Sequence, residues 1–183
     1  MDCLRVITMS FLFKGLLISS FFLNPVAAVK AESVQSSTQL QIVHVEITSH
    51  LGDGQTFVEG DQVTFMLSLD KAAYVYLFYE DAGGHILQLV PNQKQRSNFY
   101  QPGMFMLIPD QDAEYKFIVQ SPFGEDKLWV FAVDRPVTEF SGQKLDNGLK
   151  ILEKNIFQVK ALIKEHALKL YGCSRLLIKT KAR

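Results

Sequence analysis

Tyr74-Val75-Tyr76-Leu77-Phe78-Tyr79-Glu80-Asp81-Ala82-Gly83-Gly84-His85-Ile86-Leu87-Gln88-Leu89-Val90-Pro91-Asn92 sets the architecture of this chain. Residues 74–79 are aromatic or aliphatic without a break. Bulky and β-branched side chains suit a pleated strand. A run of six apolar residues without alternation is strand length and implies cover on both faces. Asp81-Ala82-Gly83-Gly84 follows, and adjacent glycines supply the positive φ a tight turn needs. Residues 86–90 are apolar again apart from Gln88, and Pro91, with no amide hydrogen, stops the ladder. The stretch therefore reads as a central β-hairpin.

Further strands are expected on either side. Val43, Val45 and Ile47 alternate with His44, Glu46 and Thr48; Val63, Phe65, Leu67 and Leu69 alternate with Gln62, Thr64, Met66 and Ser68. Gly52-Asp53-Gly54 and Glu59-Gly60-Asp61 are turn clusters around Thr56-Phe57-Val58. Residues 92–101 form a polar loop with one aromatic pair, Phe99-Tyr100. Residues 104–108, 115–120 and 127–133 read as strands, the last carrying the sole tryptophan, Trp129. Short strands at even spacing predict an antiparallel β-sandwich of Ig-like arrangement with about seven or eight strands.

A helix is expected over about residues 145–171. Leu149, Ile156, Ile163 and Leu170 recur every seven residues, with Leu145, Leu152 and Val159 between them and lysines 150, 154, 164 and 169 off the stripe. Gly172 is placed to end it, and residues 176–178 follow as a possible last strand. The stripe is expected to cover one sheet of its own domain, because a sheet-rich domain must bury such a face.

The first thirty-one residues differ in kind. Arg5 and Lys14 precede an apolar run from Gly15 to Leu23, and Asn24-Pro25 leads into small residues ending at Ala28 and Ala31. This pattern predicts a cleavable secretory signal over residues 1–31, cut after Ala31 or Ala28. The apolar run is too short to span a bilayer comfortably. The expected address is the bacterial periplasm or the medium, with no membrane span after cleavage. Residues 32–39 are polar and serine-rich, as a linker is, and residues 40–183 form one domain. Cys3 lies within the signal, which leaves Cys173 as a small apolar residue with no intramolecular disulfide to make. The formal net charge of zero gives no pull toward nucleic acid.

Residues for a known chemistry are scarce. Nucleophile-elbow, phosphate-loop, dinucleotide and zinc-helix motifs are missing from the sequence, and the four histidines are scattered. His44 and His166 read as hydrogen-bonded structural residues. The carboxylates sit mainly in turns, where Asp bonds its own backbone. No catalytic residue, metal ligand or cofactor is expected.

One ordered set of motifs resembles a family. Phe57-x-Glu59-Gly60-Asp61-x-Val63 precedes Tyr74-x-Tyr76-Leu77-Phe78 and Gly84; Leu89-x-Pro91-Asn92, Gly103, Ile108-Pro109 and Pro122-x-Gly124 follow, with a strand ending in Ala132. Over about residues 40–140 this resembles DUF4384, a bacterial domain of unknown function. The resemblance implies an exported protein. Members occur alone or beside protease, kinase and peptidoglycan-associated modules, which implies an accessory or binding role, and the family brings no catalytic residues to carry over.

The expected function is thus a non-enzymatic exported domain that engages a protein or cell-envelope component. The candidate surface is Glu80, Asp81, His85, Pro91, Asn92, Phe99, Tyr100, Pro122 and Phe123, on loops expected to gather at one end of the sandwich. Carbohydrate or peptidoglycan binding is the alternative, with Tyr74, Tyr76, Phe78, Phe99, Tyr100 and Trp129 as stacking faces. An enzyme with a dispersed site is the second alternative.

Overall fold

A computed structural model describes residues 40–183 apart from Glu114 and Glu139. The expected signal and linker therefore lie outside the described residues. The strands are β1 (Gln41–Ile42), β2 (Val45–Ser49), β3 (Thr56–Val58), β4 (Gln62–Val63), β5 (Phe65–Leu69), β6 (Ala73–Glu80) and β7 (Ile86–Val90). They continue with β8 (Phe99–Tyr100), β9 (Met106–Ile108), β10 (Phe117–Ile118), β11 (Glu125–Val133), β12 (Gly142–Lys144) and β13 (Lys150–Leu152). Helix α1 (Ile156–His166) and strand β14 (Leu170–Lys181) complete the order.

The hairpin forms as its residues dictate: β6 pairs antiparallel with β7 from Glu80↔Ile86 to Leu77↔Val90. Its turn holds Gly84 at φ 85°. The large sheet has the order β1-β14-β11-β6-β7-β13-β12, with β3 added to β14 and β8 to β6. Both of its faces are covered, as the unbroken apolar run required. On one side Val75, Leu77, Leu128, Val130, Ala132, Leu176 and Ile178 pack with Ile47, Phe65, Leu67, Leu69 and Ile108 of a three-stranded sheet, β2-β5-β9. On the other, Tyr76, Phe78, Phe131 and Val133 pack with Ile156, Val159 and Ile163 of α1. The chain thus stacks sheet on sheet on helix, and a two-stranded ribbon, β4-β10, flanks the first layer.

Two expectations need correction. The sheets are mixed: β14 pairs parallel with both β1 and β3, so the arrangement is not a purely antiparallel Ig-like sandwich. Sequence alternation reports which face a residue takes; strand direction is not encoded in it. The helix is also much shorter than the expected 145–171. Gly148 adopts φ 88° in a turn closed by its N–H on the Leu145 carbonyl, and residues 150–152 then pair with β7. The helix starts at a capping box, in which the Asn155 side chain accepts from the Gln158 N–H and the Gln158 side chain accepts from the Asn155 N–H, each at 3.0 Å. Its C-terminal partner is not Gly172. That glycine lies inside β14, where a Cβ would stand 2.5 Å from the Val43 carbonyl oxygen. Its missing side chain lets the incoming β1–β2 segment cross the sheet in contact. Cys173, beside it, is half-buried and packs against the helix-side core.

Candidate functional site

The residues expected to form one surface fall into two groups. Tyr74 pairs with Phe99 at one end of β6, and Glu80 pairs with Ile86 at the other. Six residues of strand separate those ends by roughly 20 Å. Glu80, Asp81 and His85 sit at the far end beside the turn of Pro122 and Phe123; a Cβ on Gly124 would touch the Ala82 side chain at 3.0 Å. Pro91, Asn92, Phe99 and Tyr100 lie toward the opposite end. The single-end gathering is therefore corrected: a hairpin's turn and its strand termini point to opposite edges of the sheet.

Most polar atoms in both groups have internal work. Glu80 accepts from Trp129 Nε1 at 2.8 Å and stands 3.5 Å from Lys127 Nζ. Asp81 accepts from the His85 N–H at 2.8 Å and contacts His85 Nδ1 at 2.9 Å. Asn92 Oδ1 accepts from the Lys94 and Gln95 N–H groups, both at 2.7 Å, and its Nδ2 donates to the Leu89 carbonyl. Gln95 joins the hydroxyls of Tyr100 and Tyr115, at 2.7 and 2.9 Å. Burial raises the Tyr100 hydroxyl above its ordinary range against the opposing pull of Gln95. These contacts shape the 92–100 loop. Phe99 tilts against Tyr74 at 56° and 4.9 Å between centroids, so the two rings are not coplanar.

The loop so shaped forms one wall of a cleft of about 560 Å³. Gln88 of β7, Lys150 of β13 and Lys144 of β12 supply a second wall, Arg96 joins from the loop, and Tyr76, Val137, Phe140 and Leu149 make the apolar floor. Cross-strand register builds the polar wall. Lys150 is directly opposite Gln88, and Lys144 directly opposite Lys150, so all three leave the same face of the sheet. Two like charges in facing positions are unfavourable, and none of the described lining residues is a carboxylate. Lys150 Nζ donates to the Phe140 carbonyl at 2.9 Å, which fixes where its charge lies. Gln88 is 7% exposed; its Nε2 donates to the Pro91 carbonyl at 2.7 Å, and its Oε1 is buried without a hydrogen-bond partner among the described residues. A carbonyl only accepts, so this contact also fixes which end of the amide is nitrogen. The Tyr76 hydroxyl accepts from the Val137 N–H at 2.6 Å.

A second cleft, about 350 Å³, opens between β4, β7 and β10 and is lined mainly by Val63, Phe65, Leu87, Leu89 and Phe117 with Tyr79. Behind it Asp126 is wholly buried and accepts from Thr180 Oγ1 at 3.0 Å. Burial, then a hydrogen bond to Asp126 and its charge, push the Tyr79 hydroxyl far above the usual tyrosine range. Among the described residues, no group of three or more His, Cys, Asp or Glu side chains is gathered to hold a metal ion.

Of the residues expected to form a surface, Pro91 and Asn92 line the larger cleft; Gln88, Arg96, Lys144 and Lys150 line it as well and were outside the expected set. Gln88 carried a local signal, a polar residue interrupting an apolar strand. The lysines carried none, because their meeting depends on β12 and β13 folding back onto β7. Comparison with curated proteins and with solved structures found no match. The family comparison agrees with the ordered motifs: residues 56–136 match the family described as Domain of unknown function (DUF4384).

Proposed function

We propose that this chain is an exported, non-enzymatic accessory domain that engages a protein or cell-envelope partner through the face carrying the larger cleft. Export rests on the charged start, apolar middle and small-residue end of residues 1–31. The observation that supports binding most is the polar wall of that cleft: Lys144 and Lys150 face one another beside a buried amide oxygen that lacks a partner. Such a wall costs folding in two ways: it concentrates like charge and leaves an acceptor unsatisfied. A ligand that carries negative charge relieves the first of these.

Carbohydrate stacking has less support, because Tyr76 and Phe78 are buried in the helix-side core and Trp129 is covered by Arg175, 5.3 Å from its ring centroid. A catalytic reading has less support too, because Glu80 and Asp81 are engaged with Trp129, Lys127 and His85. The test is gentle crosslinking in a periplasmic extract, with wild type beside a Lys144→Gln/Lys150→Gln double variant. A defined partner is expected with wild type and is lost with the variant. Recovery of nothing by the wild type counts against the proposal.

A further inference from the structure

We infer that the outer edge of β14, between its short pairings with β1 and β3, accepts an extended acidic peptide as an added strand. β14 has β11 along one side. Along its other side β1 pairs only at Leu170 and Tyr171, and β3 only at Lys179, Thr180 and Lys181, both parallel. Between those two strands the chain leaves this sheet, because β2 pairs with β5 in the three-stranded one. Residues 172–178 are therefore paired on one side only among the described residues. Three carbonyls report which residues of β14 face outward. Those of Lys169, Tyr171 and Lys181 accept from the N–H groups of Gln41, Val43 and Glu59. The Thr180 N–H donates the other way, to the Gly124 carbonyl just before β11. Successive residues of a strand aim their backbone groups at opposite edges, so the odd-numbered residues of β14 face outward. Arg175 and Leu177 each present an N–H and a C=O there with no hydrogen-bond partner among the described residues.

From Tyr171 to Lys179 is a span of roughly 26 Å, which leaves room for about five residues of added strand. An open edge is a template for another strand. A peptide laid along it gains main-chain hydrogen bonds whatever its sequence, and side chains then select which peptide. Residues in register share a face, so Lys127, Trp129, Arg175, Leu177, Lys179 and Lys181 stand on the helix side of the sheet. Arg175 and Leu177 are exposed there, Leu177 at 42%. The four cations outnumber Glu80 and Glu125 on this face, and Glu80 is held by Trp129 and Lys127. Acidic side chains on one face of the added strand complement them. The opposite face is the one on which Leu176 and Ile178 pack with Ile47, and apolar side chains suit it. The peptide that fits therefore alternates acidic and apolar residues.

The experiment adds an N-acetylated, C-amidated heptapeptide of alternating valine and glutamate to the purified protein, read by calorimetry and by amide hydrogen exchange. In the free protein the Arg175 and Leu177 amides are expected to exchange at least about a hundredfold faster than those of Leu176 and Ile178, which point to β11. Bound peptide is expected to slow them. Methylating the valine nitrogens blocks one edge of the peptide, and methylating the glutamate nitrogens blocks the other; one of the two is expected to abolish binding and the other to spare it. An alternating valine–lysine peptide, and the Arg175→Glu variant with the original peptide, are expected to bind at least about tenfold more weakly. The Lys144→Gln/Lys150→Gln variant is expected to bind as wild type does, because β13 lies four strand spacings from β14, about 19 Å. Arg175 and Leu177 amides already protected in the free protein, whether by a second copy or by the rest of the chain, overturn the inference. So does a peptide that fails to bind, that binds equally with either set of nitrogens methylated, or that needs Lys144 and Lys150. Edge and cleft stand apart, so failure here leaves the proposed binding face untouched.

Discussion

Replacing Gly172 by alanine tests the packing of the incoming segment against the large sheet. Gly172 lies within β14 and pairs with Ala132 of β11. A Cβ there would stand 2.5 Å from the Val43 carbonyl oxygen, 2.9 Å from Val45 Cγ2 and 3.0 Å from Val43 Cβ. The first contact is with backbone, which cannot rotate away, so the β1–β2 segment must lift. Overpacking of this kind costs about 1–3 kcal/mol. Lifting also withdraws Val43, 2% exposed, from the core and strains its N–H bond to the Tyr171 carbonyl at 3.0 Å. Complete loss of that burial would add about 1.5–3 kcal/mol, which sets the upper limit because the segment need not detach. Against this, alanine stiffens the unfolded chain and returns about 0.4–1 kcal/mol. The net expectation is a loss of about 2–3 kcal/mol. Urea unfolding followed by Trp129 fluorescence and by far-UV circular dichroism measures it, with an unchanged denaturant slope showing that both variants unfold from comparable states. A loss below about 0.5 kcal/mol, or a gain, would refute the close crossing, since a strand glycine with room for a methyl group is improved by alanine.

Three other perturbations have defined outcomes. Burial works to raise the Asp134 carboxyl, but the N–H groups of Leu168, Leu170, Asp134 itself and Lys169 outweigh it and hold it below the usual carboxylate range. Its contribution is thus present above the unfolded aspartate value of about 4 and fades as pH falls through the lower folded value; Asp134→Asn should flatten that acid limb in a pH series of urea midpoints. The Tyr79 hydroxyl is raised, so its contribution is present below about pH 10 and is lost as pH climbs beyond it. Tyr79→Phe should remove this alkaline loss, and an identical alkaline limb in the variant would contradict the burial beside Asp126. Asn155→Ala breaks the capping box of α1 and should cost about 1 kcal/mol, read as a lower thermal midpoint; no change would mean the cap is idle.

Local signals carried the hairpin. The apolar run of residues 74–79, the Gly83-Gly84 turn and Pro91 each speak for their own few residues, and the strands formed where they pointed. The amphipathic stripe misled because an interval of seven residues does not by itself specify a helix. Leu149 lies before a strand and Leu170 begins another. The Asn155–Gln158 box marks the true start. β14 hid for a different reason: its alternation is clear only from Leu176 to Lys181, and its earlier residues mix glycine, cysteine and serine. Parallel pairing to β1 and β3 is a tertiary outcome with no local code. The same holds for the cleft, whose cationic wall exists only after β12 and β13 have been laid beside β7.

The placement of β14 has a temporal consequence. It is the last described element in chain order, yet it stands between β1 and β11 and also accepts β3. Until residues 170–181 arrive, β11 presents one unpaired edge, and the early strands β1 and β3 have nowhere to dock. A nascent chain therefore stays open and sticky until its closing segment is delivered. Loop closure from residue 41 to residue 170 then sets the pace, as expected for a topology ruled by distant partners. Such a body stays unlocked until residues 170–181 take their place between β1 and β11.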